Sequence, residues 1–231
     1  MHIGRGAPLR QIPLPIATST APAFDNFMPG ANAPAIAHLE ALGPQAAPVY
    51  LWGVSGSGKT HLMQALVHRF EERGSHAGWF SPAEPTPWLS DEGWALIAID
   101  ACDTLNADQQ HAAFTLFVDA ATRGVPVIAS GRVPPVDLPL REDLRTRLGW
   151  GHVFAIQPLA EEQTRAALRR EADRRGLFFS DDVMDYLLTR FARDLKHLMA
   201  LLDRLDEFSL STKRAITVPL LKRMLAEEGA A

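Results

Sequence analysis

The glycine-rich octapeptide at residues 53–60, which reads GVSGSGKT, restricts the fold of this 231-residue chain more than any other feature. It matches the pattern G-x-x-x-x-G-K-[ST], a loop whose backbone amides wrap phosphate groups. A short apolar run at 48–52 precedes it, and apolar residues recur at helical spacing after it as far as Gly74. This strand–loop–helix order is the first half of a βαβ unit, and it indicates an α/β fold with a parallel sheet.

Each residue type in the octapeptide has a physical reason to be there. Glycines let the backbone approach phosphates closely and adopt positive φ, while successive amides and the start of the next helix supply donors. Lys59, the only lysine among the first 195 residues, would reach the β- and γ-phosphates, and the Thr60 hydroxyl would hold Mg²⁺. The alternative is a glycine turn with an incidental lysine. The residues predicted to bind a nucleotide here are Gly53, Ser55, Gly56, Ser57, Gly58, Lys59 and Thr60.

A second apolar run, at 95–99, ends in Asp100. An acid at the tip of a neighbouring strand would orient Mg²⁺ and its water, so Asp100 is predicted to share the metal with Thr60. The alternative role for Asp100 is that of a helix N-cap. The next residue, Ala101, stands where many ATPases of this type carry a second acid. Asp103 lies two positions beyond that place. We therefore expect weak or no intrinsic ATP hydrolysis.

The remaining pattern predicts a five-stranded parallel core followed by helices. Three prolines leave no room for a full helix in 82–93. After Pro158 the chain reads as four amphipathic helices, which predict a small all-α domain. The predicted strands are 48–52, 77–81, 95–99, 125–130 and 152–156; the predicted helices are 33–42, 107–122, 161–175, 181–191, 195–208 and 218–228; and the predicted parts are a flexible tail at 1–23, an α/β core at 24–158 and a helical lid at 159–231.

Composition excludes several classes of protein. The single cysteine, Cys102, excludes a disulfide framework and a cysteine-rich zinc site. No apolar run approaches the roughly 18 residues of a membrane helix, and the first 20 residues lack a signal-peptide core. The net charge is 23 − 27 = −4, which is not the footprint of a nucleic-acid-binding domain. We expect a cytoplasmic protein without membrane association.

Taken together, these motifs resemble the DnaA-related branch of the AAA+ family. Residues 24–32, FDNFMPGAN, are similar to the family's F-x-N-F-x-x-G-x-N segment, which lies against the adenine and implies nucleotide contacts from Phe27 and Asn32. Ser130 falls at the family's sensor I place, although a strand-end polar residue is the alternative. Residues 193–196, RDLK, resemble the sensor II segment and imply that Arg193 faces the nucleotide, the alternative being a helix-surface arginine.

Residues 144–151, LRTRLGWG, resemble the family segment that carries an arginine finger. Such a finger reaches the γ-phosphate held by a neighbouring subunit and stabilises the transition state there. Arg147 is the position that matches, so the resemblance implies a catalytic role for it in trans. Arg141 and Arg145 are competing candidates, and a surface or structural arginine is the alternative.

The departures from the initiator DnaA concern its grip on DNA. We expect no helix-turn-helix domain after the lid. Only about a dozen residues separate the second strand from the third, too few for helices that hold single strands. Because the α/β core is net acidic, the release of counterions from DNA would add little to its affinity for DNA. We therefore expect no direct sequence-specific DNA binding.

The peptide QIPLPI at residues 11–16 is similar to the peptides by which bacterial proteins dock on the replicative sliding clamp. An extended, proline-fixed backbone with spaced aliphatic side chains suits a hydrophobic groove. The alternative is a segment that packs on its own domain. The residues predicted to bind the clamp are Gln11, Ile12, Leu14, Pro15 and Ile16.

The resemblance as a whole implies a regulator of bacterial replication initiation. Bound to ADP or ATP with Mg²⁺, ADP being favoured, it would dock on the DNA-loaded clamp and stimulate hydrolysis of the ATP held by DnaA, which prevents re-initiation. Self-association remains open. The alternatives are a self-contained AAA+ ATPase that acts as a helicase loader or protein remodeller, and a passive adaptor on an ATPase scaffold.

Overall fold

The structure, a computed structural model, describes residues 21–191 and 195–228. The predicted clamp peptide at 11–16 and the predicted nucleotide sensor Arg193 lie outside the described residues.

A five-stranded parallel sheet forms the centre of the α/β part, as the sequence predicted. The strand order is β2-β3-β4-β1-β5, so the strand that leads into the glycine-rich loop is flanked by β4 and β5. Observed and predicted bounds differ by one or two residues at most strand ends. The strands are β1 Val49–Trp52, β2 His76–Phe80, β3 Trp94–Ile99, β4 Val127–Gly131 and β5 His152–Ala155.

Eight α-helices surround or follow the sheet in the part of the chain that the structure describes. The helix α4 is the one that the sequence pattern did not predict: it has eight residues, it is strongly charged, and only Leu144 and Leu148 are buried. The helices are α1 Ala33–Glu40, α2 Lys59–Glu72, α3 Ala107–Arg123, α4 Glu142–Gly149, α5 Glu161–Arg174, α6 Asp181–Arg190, α7 Leu195–Thr212 and α8 Val218–Glu228.

The sheet is covered on both faces, which explains its apolar strands. Alternation along β1 sends Val49 and Leu51 to one face, against α1 and α2, and Tyr50 to the other, against α3 and α4. All three side chains are fully buried or nearly so. The central strands are thus closed on both faces, and their ends remain open to a ligand.

The segment between β2 and β3 contains no helix, as its prolines predicted. Trp88 from this segment is buried in the core beneath α3. The Gln109 amide nitrogen holds the segment by donating to the carbonyls of Pro82 and Glu84, both at 3.1 Å. The connection is therefore short and fastened to the sheet.

Helices α5 to α8 share a separate apolar core. Leu168, Val183, Leu201 and Leu221 come from the four helices in turn, and each is at most 1% exposed. Within residues 21–191 and 195–228, none of the helices has the length and apolar character that a membrane crossing requires.

Candidate nucleotide-binding site

The glycine-rich loop connects the carboxyl end of β1 to the first turn of α2, where the helix dipole favours an anion. Gly53, Gly56 and Gly58 have φ of 153°, 77° and 101°, conformations that side chains disfavour. A Cβ on Gly53 would lie 2.3 Å from the Ile156 carbonyl oxygen, and one on Gly58 would lie 2.5 Å from the Phe27 ring. The fold therefore requires glycine at both positions, in addition to any need for a close phosphate.

Lys59 is a buried cation that points across the loop. Its Nζ donates to the carbonyl oxygens of Gly53 at 2.8 Å and Val54 at 2.9 Å, and only 9% of the residue is exposed. Burial lowers the pKa of this ammonium, whereas the negative charges of Asp100 and Asp103 raise it. A partly desolvated cation enclosed by a turn of amides is a suitable partner for a phosphate group.

Asp100 is the centre of a hydrogen-bonded cluster at the tips of β3 and β4. Its Oδ2 accepts from the Thr60 hydroxyl at 2.8 Å, and its Oδ1 accepts from the Ser130 hydroxyl and from the Ala101 amide, the latter at 3.0 Å. The Ala101 amide also donates to Ser130 Oγ at 3.1 Å. The structure thus brings Thr60, Asp100 and Ser130 together as the sequence predicted.

The parallel sheet is the reason why these side chains meet. β1, β3 and β4 end at the same edge, and ligands of open α/β sheets bind outside the carboxyl ends of the strands. Carboxylate and hydroxyl oxygens are the ligands that Mg²⁺ prefers. The residues present therefore fit a magnesium-bound nucleotide phosphate, with Lys59 as the phosphate partner and with Thr60 and Asp100 near the metal.

The position directly after Asp100 carries no acid. Ala101 has a left-handed backbone, with φ of 52°, and carries only a methyl group. The carboxylate of Asp103 accepts hydrogen bonds from Arg132 and is nearly buried. The sequence does not reveal the pair of Asp103 and Arg132, because a side-chain contact between two strand ends leaves no signal in the spacing.

The segment at 22–27 lies along α2 and reaches the loop. The Ala23 carbonyl accepts a hydrogen bond from His61 Nε2 at 3.0 Å, and the Pro22 carbonyl accepts one from His68 Nδ1 at 2.9 Å. Burial lowers the pKa of His61, while its bond to Ala23 raises it. Phe27 packs over Gly58, its ring centroid 5.4 Å from that of His61. Phe27 is therefore beside the loop; its contact with a base stays a prediction.

Asn32 joins the N-terminal segment to the residues that precede the lid. Its Nδ2 donates to the Gln157 carbonyl at 2.9 Å, and its Oδ1 accepts from the Gln157 amide at 2.8 Å. The side chain is buried. Both polar groups of the amide thus bind backbone, which gives Asn32 a structural role, and its contact with nucleotide stays a prediction.

Arg147 lies beside the amino end of β1, whereas the glycine-rich loop follows its carboxyl end. It is on the last turn of α4, half-buried, with its guanidinium carbon 5.1 Å from the centre of the Phe114 ring. With Trp150, which is 77% exposed, it borders a cavity of about 450 Å³ that also touches Pro48. Pro48 precedes β1 and the loop follows it, so the length of the strand, about 13 Å, separates them.

The other two arginines of this region differ from Arg147. Arg141 donates to the Asp143 carboxylate at 2.7 Å and lies 5.9 Å from the Phe114 ring centre. Arg145 is half-buried on the same helix. Arg147 is the one of the three that borders the cavity beside Trp150.

Two family models match parts of the chain. Residues 161–225 match the Hda lid domain, and residues 19–77 match the bacterial DnaA ATPase domain. The first range covers α5 to most of α8, and the second covers the glycine-rich loop and the segment that packs on it.

Solved structures show the same fold at low identity. Domain III of DnaA from Thermotoga maritima is 18% identical with a TM-score of 0.72, over 89% of this chain and 95% of that one. AMPPCP-bound DnaA from Aquifex aeolicus is 19% identical with a TM-score of 0.64, over 80% of this chain and 65% of that one. The Thermotoga maritima branch migration motor RuvB is 17% identical with a TM-score of 0.57, over 84% of this chain and 64% of that one. The chain thus spans somewhat less than two thirds of the longer DnaA and RuvB chains.

Proposed function

This chain belongs to the DnaA-related AAA+ replication proteins, and on that premise we propose that it regulates initiation by stimulating hydrolysis of the ATP that DnaA holds. The observation that carries the proposal is the separation of two sites on one core. The glycine-rich loop lies at one end of β1, and Arg147 lies at the other, beside an exposed tryptophan. An arginine at the opposite end of the strand would serve the nucleotide of a neighbour rather than its own.

The bound nucleotide would have a structural role in this scheme. Lys59 would hold the β-phosphate, and Thr60 and Asp100 would hold Mg²⁺, with Ser130 fixing Asp100. Ala101 supplies no base for water, which favours slow intrinsic turnover of the bound nucleotide, ADP or ATP. The AMPPCP complex of the related DnaA supports an adenine nucleotide as the ligand.

Arg147 would act on the γ-phosphate held by DnaA. A cation supplied in trans neutralises charge that develops in the transition state, and arginine fingers contribute roughly 10³–10⁵-fold to kcat in nucleotide hydrolysis. Its stacking on Phe114 restrains the guanidinium before the partner arrives. Trp150 and the adjoining cavity would receive the partner's surface.

The remaining parts of the proposal concern location and assembly. Residues 11–16 would tether the protein to the sliding clamp, so that it meets DnaA only where DNA has been replicated. The tail, core and lid would divide at about residues 23 and 158, with the bond between Asn32 and Gln157 at the second boundary. The proposal also includes a cytoplasmic location for this protein and allows it to self-associate.

A hydrolysis assay tests the proposal. DnaA carrying labelled ATP is mixed with clamp loaded on DNA and with this protein, and the fraction of ADP is measured. Arg147→Ala is expected to abolish stimulation while leaving nucleotide and clamp binding intact. Arg145→Ala, on the same helix, is the matched control. Full stimulation by Arg147→Ala would overturn the assignment of Arg147 as the finger. Loss of stimulation with Arg145→Ala alone would assign the finger to Arg145 instead.

The clamp tether has a separate test. Replacing Gln11, Leu14 and Ile16 together by Ala is expected to eliminate co-elution of this protein with the clamp on a sizing column. A complex that persists would refute the tether without affecting the nucleotide site.

A further inference from the structure

Asp103 and Arg132 form an ion pair at the edge of the nucleotide site, and the proposed function assigns neither residue a role. Asp103 Oδ2 accepts from Arg132 Nε at 2.5 Å, and Oδ1 accepts from the Arg132 backbone amide at 3.1 Å. The Asp103 side chain is 6% exposed, whereas that of Arg132 is 63% exposed. The buried carboxylate therefore anchors a guanidinium that reaches into solvent.

The backbone on both sides of Arg132 is held in place. The Gly131 carbonyl accepts a hydrogen bond from the Gly53 amide at 3.3 Å, so Arg132 follows the residue that is joined to the first loop glycine. On the other side, the Tyr50 hydroxyl donates to the Val133 carbonyl at 3.0 Å. Arg132 thus leaves the sheet at a fixed point beside the phosphate loop.

Gly131 explains why Asp103 can approach this point. A Cβ on Gly131 would lie 2.0 Å from the Tyr50 hydroxyl oxygen and 3.4 Å from Asp103 Oδ1. The space beside the tip of β4 is therefore filled by the Tyr50 hydroxyl and the Asp103 carboxylate, and position 131 has no room for a side chain. Asp103 supplies the negative charge at this tip from the loop after β3.

The guanidinium of Arg132 is bound to the protein through Nε, which donates to the Asp103 carboxylate. Among the residues that the structure describes, no acceptor is bonded to its two terminal nitrogens, whose N–H groups therefore remain available.

We propose that Arg132 is a second phosphate ligand in cis, whose terminal nitrogens contact the γ-phosphate and make the site discriminate a nucleoside triphosphate from a diphosphate. The planar fork of arginine can bind a carboxylate through Nε and a phosphate through Nη at once. Asp103 is a positioning residue: it binds Nε of Arg132 and leaves the two Nη atoms available for the phosphate. The inference rests on the proposed nucleotide site.

Calorimetric titration of the full chain with AMPPCP and with ADP, each with Mg²⁺, tests the inference. Arg132→Ala is expected to weaken AMPPCP binding by roughly tenfold, about the worth of one hydrogen bond to a charged group, and to leave ADP binding unchanged. Asp103→Asn is expected to lower the ratio of AMPPCP affinity to ADP affinity, as Arg132→Ala does. Arg132→Lys is expected to restore part of the loss, and Arg145→Ala, away from the loop, to change neither affinity.

The outcomes separate this inference from the nucleotide site itself. Equal affinities of wild type and Arg132→Ala for AMPPCP, or an equal loss for both nucleotides, would overturn the role of Arg132 alone. Loss of DnaA stimulation with intact AMPPCP binding would also overturn it, because Arg132 would then act on a partner. A wild-type chain that binds neither AMPPCP nor ADP would overturn the nucleotide site and the role of Arg132 together. Loss of binding of both nucleotides by Lys59→Ala would confirm that the glycine-rich loop is the site measured.

Discussion

The Thr60 hydroxyl donates a hydrogen bond to the Asp100 carboxylate at 2.8 Å, although 40 positions separate the two residues along the chain. Thr60 lies in the first turn of α2 and Asp100 directly follows β3, so the bond joins the phosphate loop to the end of the third strand. Both side chains offer the hard oxygen atoms that Mg²⁺ binds. The pair is therefore the point at which metal dependence can be tested.

Replacing Thr60 by Ala removes one of these two oxygen ligands. We expect nucleotide affinity in the presence of Mg²⁺ to fall by roughly tenfold or more, since a bond to a charged group is lost, while affinity in chelator stays nearly constant. Calorimetry with and without Mg²⁺ measures the difference. Thr115→Ala, whose hydroxyl bonds the His111 carbonyl on the surface of α3, is the control. An equal loss in both buffers would contradict a role at the metal.

Ala101 offers a way to test why turnover should be slow. Its φ of 52° is left-handed, a region that Asp and Asn adopt more readily than most residues. We expect Ala101→Asp to raise intrinsic ATP hydrolysis by roughly 10²-fold, the low end of what a positioned base contributes. Ala101→Asn accepts the same backbone without supplying a base, and it should remain at the wild-type rate. Release of labelled phosphate from ATP gives both rates, and a fast wild-type enzyme would instead favour a self-contained motor.

The tight approach of Tyr50 to Gly131 predicts a cost in stability. A methyl group at 131 would meet the Tyr50 hydroxyl at 2.0 Å, so Gly131→Ala should lower the free energy of unfolding by about 1–3 kcal/mol. Adding Tyr50→Phe should recover part of that loss, because the hydroxyl is then gone. Gly43, which has open space around it, is the matched site, and Gly43→Ala should stay within about 0.5 kcal/mol of wild type. Urea unfolding measures these four proteins and Tyr50→Phe alone. Additive effects of the changes at 50 and 131 would argue against the contact.

A charged cluster on the lid predicts a dependence of stability on pH. Hydrogen bonds from Arg174, and then from Arg175, lower the pKa of Glu171 from its ordinary 4.5 to about 2. The unfolded state therefore binds more protons between these values, and the stabilisation present above 4.5 is lost as pH falls towards 2. We expect Glu171→Gln to be less stable than wild type at neutral pH and to converge with it near pH 2. Urea midpoints across this range give the two curves, and parallel curves would refute the coupling.

The sequence predicted what periodicity and motif spacing encode. Short apolar runs located all five strands, and the loop motif with Asp100 located the edge of the sheet where the candidate site lies. The prolines correctly excluded a helix between β2 and β3. These features are local, or follow from the parallel order of the strands, so a linear reading can reach them.

Other features depend on contacts that spacing does not encode. The helix α4 is short and charged, and its two buried leucines pack only because α3 and β1 are present. The bonds from Asp103 to Arg132 and from Asn32 to Gln157 join residues 29 and 125 positions apart. Both depend on how strand ends and loops pack in three dimensions. The roles of Arg193 and residues 11–16 stay predictions.

The placement of Arg147 and the glycine-rich loop at opposite ends of β1 makes the molecule polar, with a donating pole and an accepting pole. Contacts made through unlike surfaces are heterologous, and they do not close on themselves as a two-fold interface does. If Arg147 acts in trans as proposed, each contact joins the donating pole of one molecule to the accepting pole of the next. An assembly with DnaA built on that contact would therefore have a direction.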